Sequence, residues 1–138
     1  MSQLGGVFDA IKAQLASVAP RRVVTRNYKD FTARHNQDLI AGVFTVISRG
    51  ESGYRNYPGR TAELGIQGVF IVGQIMVAGK DVLGSQVEEA EFLMVEDLQA
   101  LCRSDLPAPI DNLLMTGFDQ SGQRSLPYGW ITAELTNQ

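Results

Sequence analysis

The residues best suited to chemistry in this sequence are one histidine, one cysteine and several carboxylates. A zinc site needs three or four ligands, so carboxylates would have to complete any site that used His35 and Cys102. His35 lies in a polar stretch with no serine or cysteine at a motif-like spacing, which favours a solvated histidine over a general base. Cys102 falls on an apolar helical stripe, which favours a buried, inert thiol. We therefore predict no catalytic residue and no metal site.

The nearest approach to a nucleotide-binding motif is the stretch GQIMVAGKD at residues 73–81. A phosphate-binding loop has the spacing G-x-x-x-x-G-K-[ST], and its hydroxyl holds magnesium. Gly73 and Gly79 are one residue too far apart for this motif, and Asp81 replaces the hydroxyl residue. Residues 78–81 are better interpreted as a turn, and we expect no cofactor.

Two clusters of like charge have both a functional and a plain structural interpretation. The acidic cluster could hold a divalent cation, but a solvated helix face is favoured; it comprises Glu88, Glu89, Glu91, Glu96 and Asp97. The basic cluster could bind nucleic acid; it comprises Arg21, Arg22, Arg26, Lys29 and Arg34. Because no stacking aromatic residues or helical pattern accompany it, a solvent-facing or interface surface is favoured there.

Tyrosine and arginine are concentrated in one glycine-rich segment, residues 49–63. Long loops in compact domains are usually functional or disordered, and these two residue types are enriched at protein interfaces. An exposed mobile loop is the other interpretation. The candidate inter-subunit interface residues are Arg49, Tyr54, Arg55, Tyr57 and Arg60.

Hydrophobic periodicity defines the elements that would position these residues. The predicted order is a helix at 4–18, a short strand at 21–25, a polar loop at 26–38, a strand at 39–48, the 49–63 loop, a strand at 64–77, a helix at 85–103, and strands at 110–118 and 128–136. Pro20 should end the first helix, and Ser85 with Glu88 matches a capping box for the second. Glycines in the 64–77 strand suggest bulges or a close backbone approach.

This order predicts an α+β fold in a single domain spanning residues 1–138. We expect an antiparallel sheet with a long projecting β-hairpin, formed by residues 39–48 and 64–77, and two helices packed on one face. The buried stripe of the second helix is expected to contain Val87, Ala90, Met94, Leu98, Leu101 and Cys102.

Charge is divided unevenly along the chain. Residues 1–60 carry nine Lys or Arg and four Asp or Glu, whereas residues 61–138 carry three and eleven. A net charge of −3 argues against nucleic-acid binding by the whole chain. Opposite charge on the two halves suits a subunit that binds its own copies head to tail, because such a contact joins one patch of a subunit to a different patch of its neighbour.

The sequence contains no stretch of about 20 apolar residues that could span a membrane, and its N-terminus lacks the pattern of a signal peptide. One cysteine cannot form an internal disulfide. We expect a soluble protein that is made and used in the cytoplasm, or assembled there.

The layout resembles the tail terminator (tail completion) proteins of long-tailed bacteriophages, which share a fold with tail-tube and head–tail connector subunits. The resemblance covers most of the chain. It rests on the N-terminal helix, the stretch Pro20-Arg21-Arg22-Val23-Val24, the long hairpin, the helix after it and the closing strand after Leu126-Pro127-Tyr128-Gly129-Trp130.

This resemblance implies a non-enzymatic virion protein of the viral tail. It would form a homohexameric ring that caps the tail tube and joins the tail to the head. The implied partners are its own copies, the tail-tube protein and the head–tail connector protein, with DNA passing through the ring lumen and no membrane. The resemblance implies no cofactor and carries over no site residues.

Three alternatives stay open at this point. The chain could be a connector, neck or tube subunit of the same apparatus. It could be a small nucleic-acid-binding module that uses its basic N-terminal third. A small enzyme with a carboxylate site ranks last, because spacing marks out no carboxylate pair.

Overall fold

The computed structural model describes residues 2–54, 56–57, 60–61 and 65–138, and the side chains of residues 55–64 lie outside the described part. The helices and strands, numbered in chain order, are α1 (Gln3–Val18), β1 (Val23–Thr25), α2 (Asn36–Ala41), β2 (Val43–Ser52), β3 (Asn56–Tyr57), β4 (Arg60–Thr61), β5 (Ile66–Met76), α3 (Gly84–Arg103), β6 (Leu113–Gln120) and β7 (Tyr128–Asn137). One turn of 3-10 helix covers Phe31–Ala33. The α+β prediction is confirmed.

Five strands form one sheet in the order β1-β2-β5-β7-β6. The pairs β2–β5, β5–β7 and β7–β6 are antiparallel, as predicted, whereas β1 pairs with β2 in parallel. The parallel pair follows from the short α2 crossover, which returns the chain to the sheet beside β1 in the same direction. β3 and β4 form a separate two-stranded ladder within the 49–63 segment.

The main core lies between the sheet and the helices α1 and α3, so the expectation of two helices on one face is confirmed. Alternate residues of β2, β5 and β7 face these helices, which is the period-two pattern of a strand. The fully buried members include Ile11 and Leu15 on α1, Leu98 on α3, and Phe44 and Ile71 on the sheet.

The polar loop predicted at 26–38 is wrong, because this part of the chain holds the 3-10 turn and α2. Leu39 therefore lies in a helix and not at the start of a strand, and β2 begins at Val43. Gly42, at φ +91, ends α2 and redirects the chain into β2. Since Leu39 is fully buried, packing on the sheet overrides the weak local helix signal of this polar stretch.

The first strand of the β2–β5 hairpin has the predicted length but lies four residues later in the chain and reaches Ser52, and the hairpin carries the β3–β4 ladder towards its tip. Its register shifts between Ser48 and Glu51, across from the glycine-containing part of β5. A Cβ on Gly68 would come within 3.0 Å of the Cβ of Arg49. The expected bulge and close approach at the glycines are confirmed at this point.

The capping box predicted from Ser85 and Glu88 is wrong. Leu83 occupies the N-cap of α3, and the Gln86 side-chain oxygen accepts a hydrogen bond of 2.8 Å from the Leu83 amide. α3 thus begins one residue earlier than predicted, and the side chain of Gln86, not that of Glu88, accepts the hydrogen bond from the N-cap amide. No helix of the described residues is both long enough and apolar enough to cross a membrane.

Candidate interaction surfaces

Arg49 is the first of the predicted interface residues, and the structure places it on β2 facing its own sheet. Its guanidinium carbon lies 4.8 Å from the centre of the Phe70 ring, and Nη2 lies 3.3 Å from Oε1 of Glu134. Both charged side chains are about half exposed. An ion pair with this exposure contributes little stability, so Arg49 can exchange its partner at low cost.

Tyr54 is exposed and its hydroxyl donates a hydrogen bond to Oε1 of Glu51. Glu51 also accepts hydrogen bonds from the Gly65 amide and the Gln67 side chain, which ties the two strands of the hairpin together. The hydrogen bond from Tyr54 is the main cause that lowers the pKa of Glu51, and burial opposes it. The same bond raises the pKa of Tyr54.

The other three predicted interface residues fall in or beside the β3–β4 ladder. Arg55 lies outside the described residues, as do the side chains of Tyr57 and Arg60. The backbones of Tyr57 and Arg60 pair with each other across β3 and β4. Of the five candidates, the structure describes the side chains of Arg49 and Tyr54, and their hydrogen-bond and ion partners differ.

Replacing Tyr54 with phenylalanine should raise the pKa of Glu51 from its lowered value towards the ordinary 4.5, because the largest favourable contact to the carboxylate is lost. A carboxyl group whose pKa is lower in the folded state than in the unfolded state stabilises the fold at pH values above its unfolded-state pKa. This stabilisation is lost as the pH falls through the folded-state pKa. The acid transition of Tyr54→Phe should therefore begin at slightly higher pH. An NMR titration that detects the side-chain carboxyl of Glu51 measures the change in its pKa, and Tyr28→Phe is the matched control. An unchanged Glu51 titration would contradict the view that the Tyr54 hydrogen bond lowers this pKa.

Some of the opposite charges of the two sequence halves pair inside one subunit. Nε of Arg22 lies 2.7 Å from Oδ2 of Asp97, and Arg21 approaches the same carboxylate at 3.5 Å. With Arg49 and Glu134, these pairs join the basic first half to the acidic second half within one chain. The fold therefore brings parts of the two halves together, and the complementary charge of the remaining residues stays a prediction.

Three arginines of the basic cluster are partly buried and hold the fold together. Arg22 also donates to the Ala41 carbonyl, and Arg26 pairs with Asp9 on α1 at 3.0 Å. Arg34 donates from Nε to the Gln74 side chain at 2.8 Å and from Nη2 to the Asn27 carbonyl and the Thr45 hydroxyl. These contacts explain the cluster structurally and remove much of it from any nucleic-acid surface.

The acidic residues of α3 do not all lie on a solvated face, which corrects that prediction. Glu91 is 1% exposed and accepts hydrogen bonds from the Ser121 hydroxyl, the Gln120 side chain and the Trp130 amide. Asp97 is held by Arg22. Within the part of the chain that the structure describes, no group of three acidic, histidine or cysteine residues is arranged to hold a metal ion.

An apolar groove of about 470 Å³ opens on the sheet face opposite α1 and α3. It lies beside the segment at 26–41, which Arg34 and the bond from Gln74 to the Lys29 carbonyl fasten to the sheet. Sequence reasoning missed this groove because its aromatic residues are far apart in the chain. Its lining consists of Tyr28, Phe31, Ile47, Phe70, Val72, Gln74, Trp130 and Thr132.

A second exposed surface follows β6, the last strand of the sheet. Among the described residues β6 pairs with β7 alone, so its outer edge presents free backbone groups. Leu114 and Phe118 are exposed on this strand.

A groove of about 360 Å³ between α3 and β6 is lined in part by Phe118 and Cys102, and burial raises the pKa of the Cys102 thiol. Cys102 is thus half-buried and not fully buried as predicted, and its raised pKa disfavours the reactive thiolate.

Comparison with protein-family models finds no match to this chain, and comparison with curated protein sequences finds none either.

Proposed function

We propose that this protein is a non-enzymatic structural subunit of a bacteriophage virion, a tail terminator that forms a ring on the tail tube and joins the tail to the head. The N-terminal helix, long hairpin, following helix and closing strand on which the sequence resemblance rests correspond to α1, the β2–β5 hairpin, α3 and β7. This agreement supports the proposal at the level of layout.

The observation that carries the proposal is the open edge of β6. It is a strand of eight residues with two exposed apolar side chains and a single charged residue, Asp119. An unprotected edge strand is a template for pairing with another chain, and proteins that stay monomeric usually shorten, charge or cover such edges. A subunit that assembles would bury this edge between copies.

A connector, neck or tube subunit of the same apparatus remains the alternative, because each of these would use such an edge. A nucleic-acid-binding module is less well supported. The arginines that suggested it are engaged with Asp97, Asp9 and Gln74 within the subunit.

The direct test is assembly on tail tubes. We expect native mass spectrometry and negative-stain microscopy of the purified protein, alone and with tubes of the same phage, to show closed rings, and rings at one end of each tube. Binding along the tube wall or at the head portal would favour a tube or connector subunit. A monomer at all concentrations with no binding to tubes would refute the proposal.

Replacing Leu114 with glutamate should disrupt this assembly. Leu114 is 44% exposed, so the change leaves the monomer folded but places a desolvated charge in the buried interface. We expect association to weaken by about 100-fold, measured by sedimentation velocity over a concentration series. Leu83→Glu is the matched control, because Leu83 is 61% exposed and precedes α3 at a distance from β6 in the chain. Equal assembly of both variants would contradict the role of β6.

A further inference from the structure

At the opposite end of the sheet β1 is the outermost strand, but it is so short that part of β2 also forms an open edge among the described residues. β1 pairs with β2 only from Val43 to Thr45, so among the described residues the outer side of residues 47–52 has no strand partner. The side chains of Ser48 and Arg49 are exposed there. The sheet therefore ends in two edges of different composition, which is the requirement for a head-to-tail contact between identical copies.

Strand directions decide how two such edges would meet. β2 and β7 run in one direction, and β5 and β6 run in the other, because the three pairings between them are all antiparallel. If a second copy continues the sheet in the same orientation, its β2 lies beside β6 of the first copy and runs antiparallel to it. The alternation of directions then continues across the contact without a break.

The charges on the two edges are complementary. Asp119 on β6 and Arg49 on β2 both lie on the sheet face that carries Phe70, Thr132 and Glu134. Asp119 is exposed, and no ion partner is found for it among the described residues. The solvated contact of Arg49 with Glu134 leaves the guanidinium accessible to a second carboxylate.

From these three observations we propose that the outer edge of β2 at residues 47–52 pairs in antiparallel fashion with β6 of the next copy, with Arg49 facing the neighbour's Asp119. This proposal rests on the proposed function, because it identifies the surface of a second copy that would cover the β6 edge. Each subunit contributes β2, β5, β7 and β6 to a sheet that runs from copy to copy.

Thr116 offers a sharp test of this pairing. It lies at the register shift between Met115 and Gly117, where the ladder with β7 is interrupted, so proline is tolerated there within the subunit. Proline lacks the amide hydrogen and its ring obstructs an incoming strand. Thr116→Pro should keep its melting temperature within a few degrees yet lose assembly. Thr116→Ala is the matched control and should assemble normally, because both variants lose the hydroxyl bond to the Glu134 carbonyl but only proline lacks the amide hydrogen.

Charge reversal gives an independent readout. Asp119→Arg should weaken association by about tenfold, and adding Arg49→Glu to the same chain should restore most of it. Sedimentation velocity measures both. Rings that form equally in Thr116→Pro, with no rescue in the double variant, would overturn the pairing while leaving the terminator proposal intact. Failure of the wild type to form rings, with or without tubes, would overturn both.

Discussion

Replacing Asp97 with alanine should lower the free energy of unfolding by about 3 to 5 kcal/mol, because the change leaves the Arg22 guanidinium buried without its counter-charge. The Arg22 side chain is 6% exposed and that of Asp97 is 14% exposed, so solvent screens this pair weakly. Arg22 also donates to the Ala41 carbonyl at 2.9 Å. The pair thus joins α3, the start of β1 and the end of α2, and its loss should loosen all three.

The loss is measured by urea denaturation followed by circular dichroism. Arg21→Ala is the matched control, because Arg21 contacts the same carboxylate at 3.5 Å but is largely exposed. An exposed pair of this kind contributes about 0 to 1 kcal/mol. A double variant with Arg22→Met and Asp97→Leu should be more stable than Asp97→Ala, because it removes both charges. Similar losses for Asp97→Ala and Arg21→Ala would contradict the argument from burial.

The parts of the fold that could be predicted from the sequence are those in which one residue period runs uninterrupted. α1 shows apolar residues at helical spacing and ends before Pro20. β5 and β7 are long and rich in β-branched residues, and both strands were placed correctly to within two residues. In these segments local preference and tertiary packing favour the same structure.

The segment at 26–41 could not be predicted, because long-range polar contacts stabilise it. Arg34 bonds to Gln74, forty residues away, and the Phe31 ring packs on Tyr128 with centroids 5.1 Å apart. No local spacing reveals such partners. The apolar groove depends on the same contacts, so it was invisible for the same reason.

The acidic residues of α3 are a different kind of error, because part of the signal was present. Glu91 follows Val87 by four residues and precedes Met94 by three, which places it on the buried stripe of the helix. Treating the carboxylates as one solvated group ignored this position. The partners of Glu91, in contrast, lie on and after β6, and only the folded chain brings them to the helix.

Replacing Glu91 with leucine should lower the free energy of unfolding by about 2 to 5 kcal/mol. The carboxylate accepts bonds of 3.0 Å from the Trp130 amide and 3.3 Å from the Gln120 side chain, together with a bond from the buried Ser121 hydroxyl. Each buried donor left without an acceptor costs about 1 to 3 kcal/mol. Glu91 and the backbone of Gly129 are closely packed, since a Cβ added at Gly129 would lie 2.7 Å from Oε2 of Glu91.

The same replacement should act locally as well as globally, because Glu91 connects α3 to the start of β7 and to the turn before it. Hydrogen exchange at the Trp130 amide should accelerate more than exchange in the α1 core. Trp130 is the single tryptophan, so its fluorescence reports the same site. Glu91→Gln keeps one acceptor oxygen and nearly the same volume, and it should lose about half as much stability. If leucine stabilised the protein instead, the desolvation of the carboxylate would outweigh its three hydrogen bonds, and the link between α3 and β7 would have to rest on apolar packing around Val87.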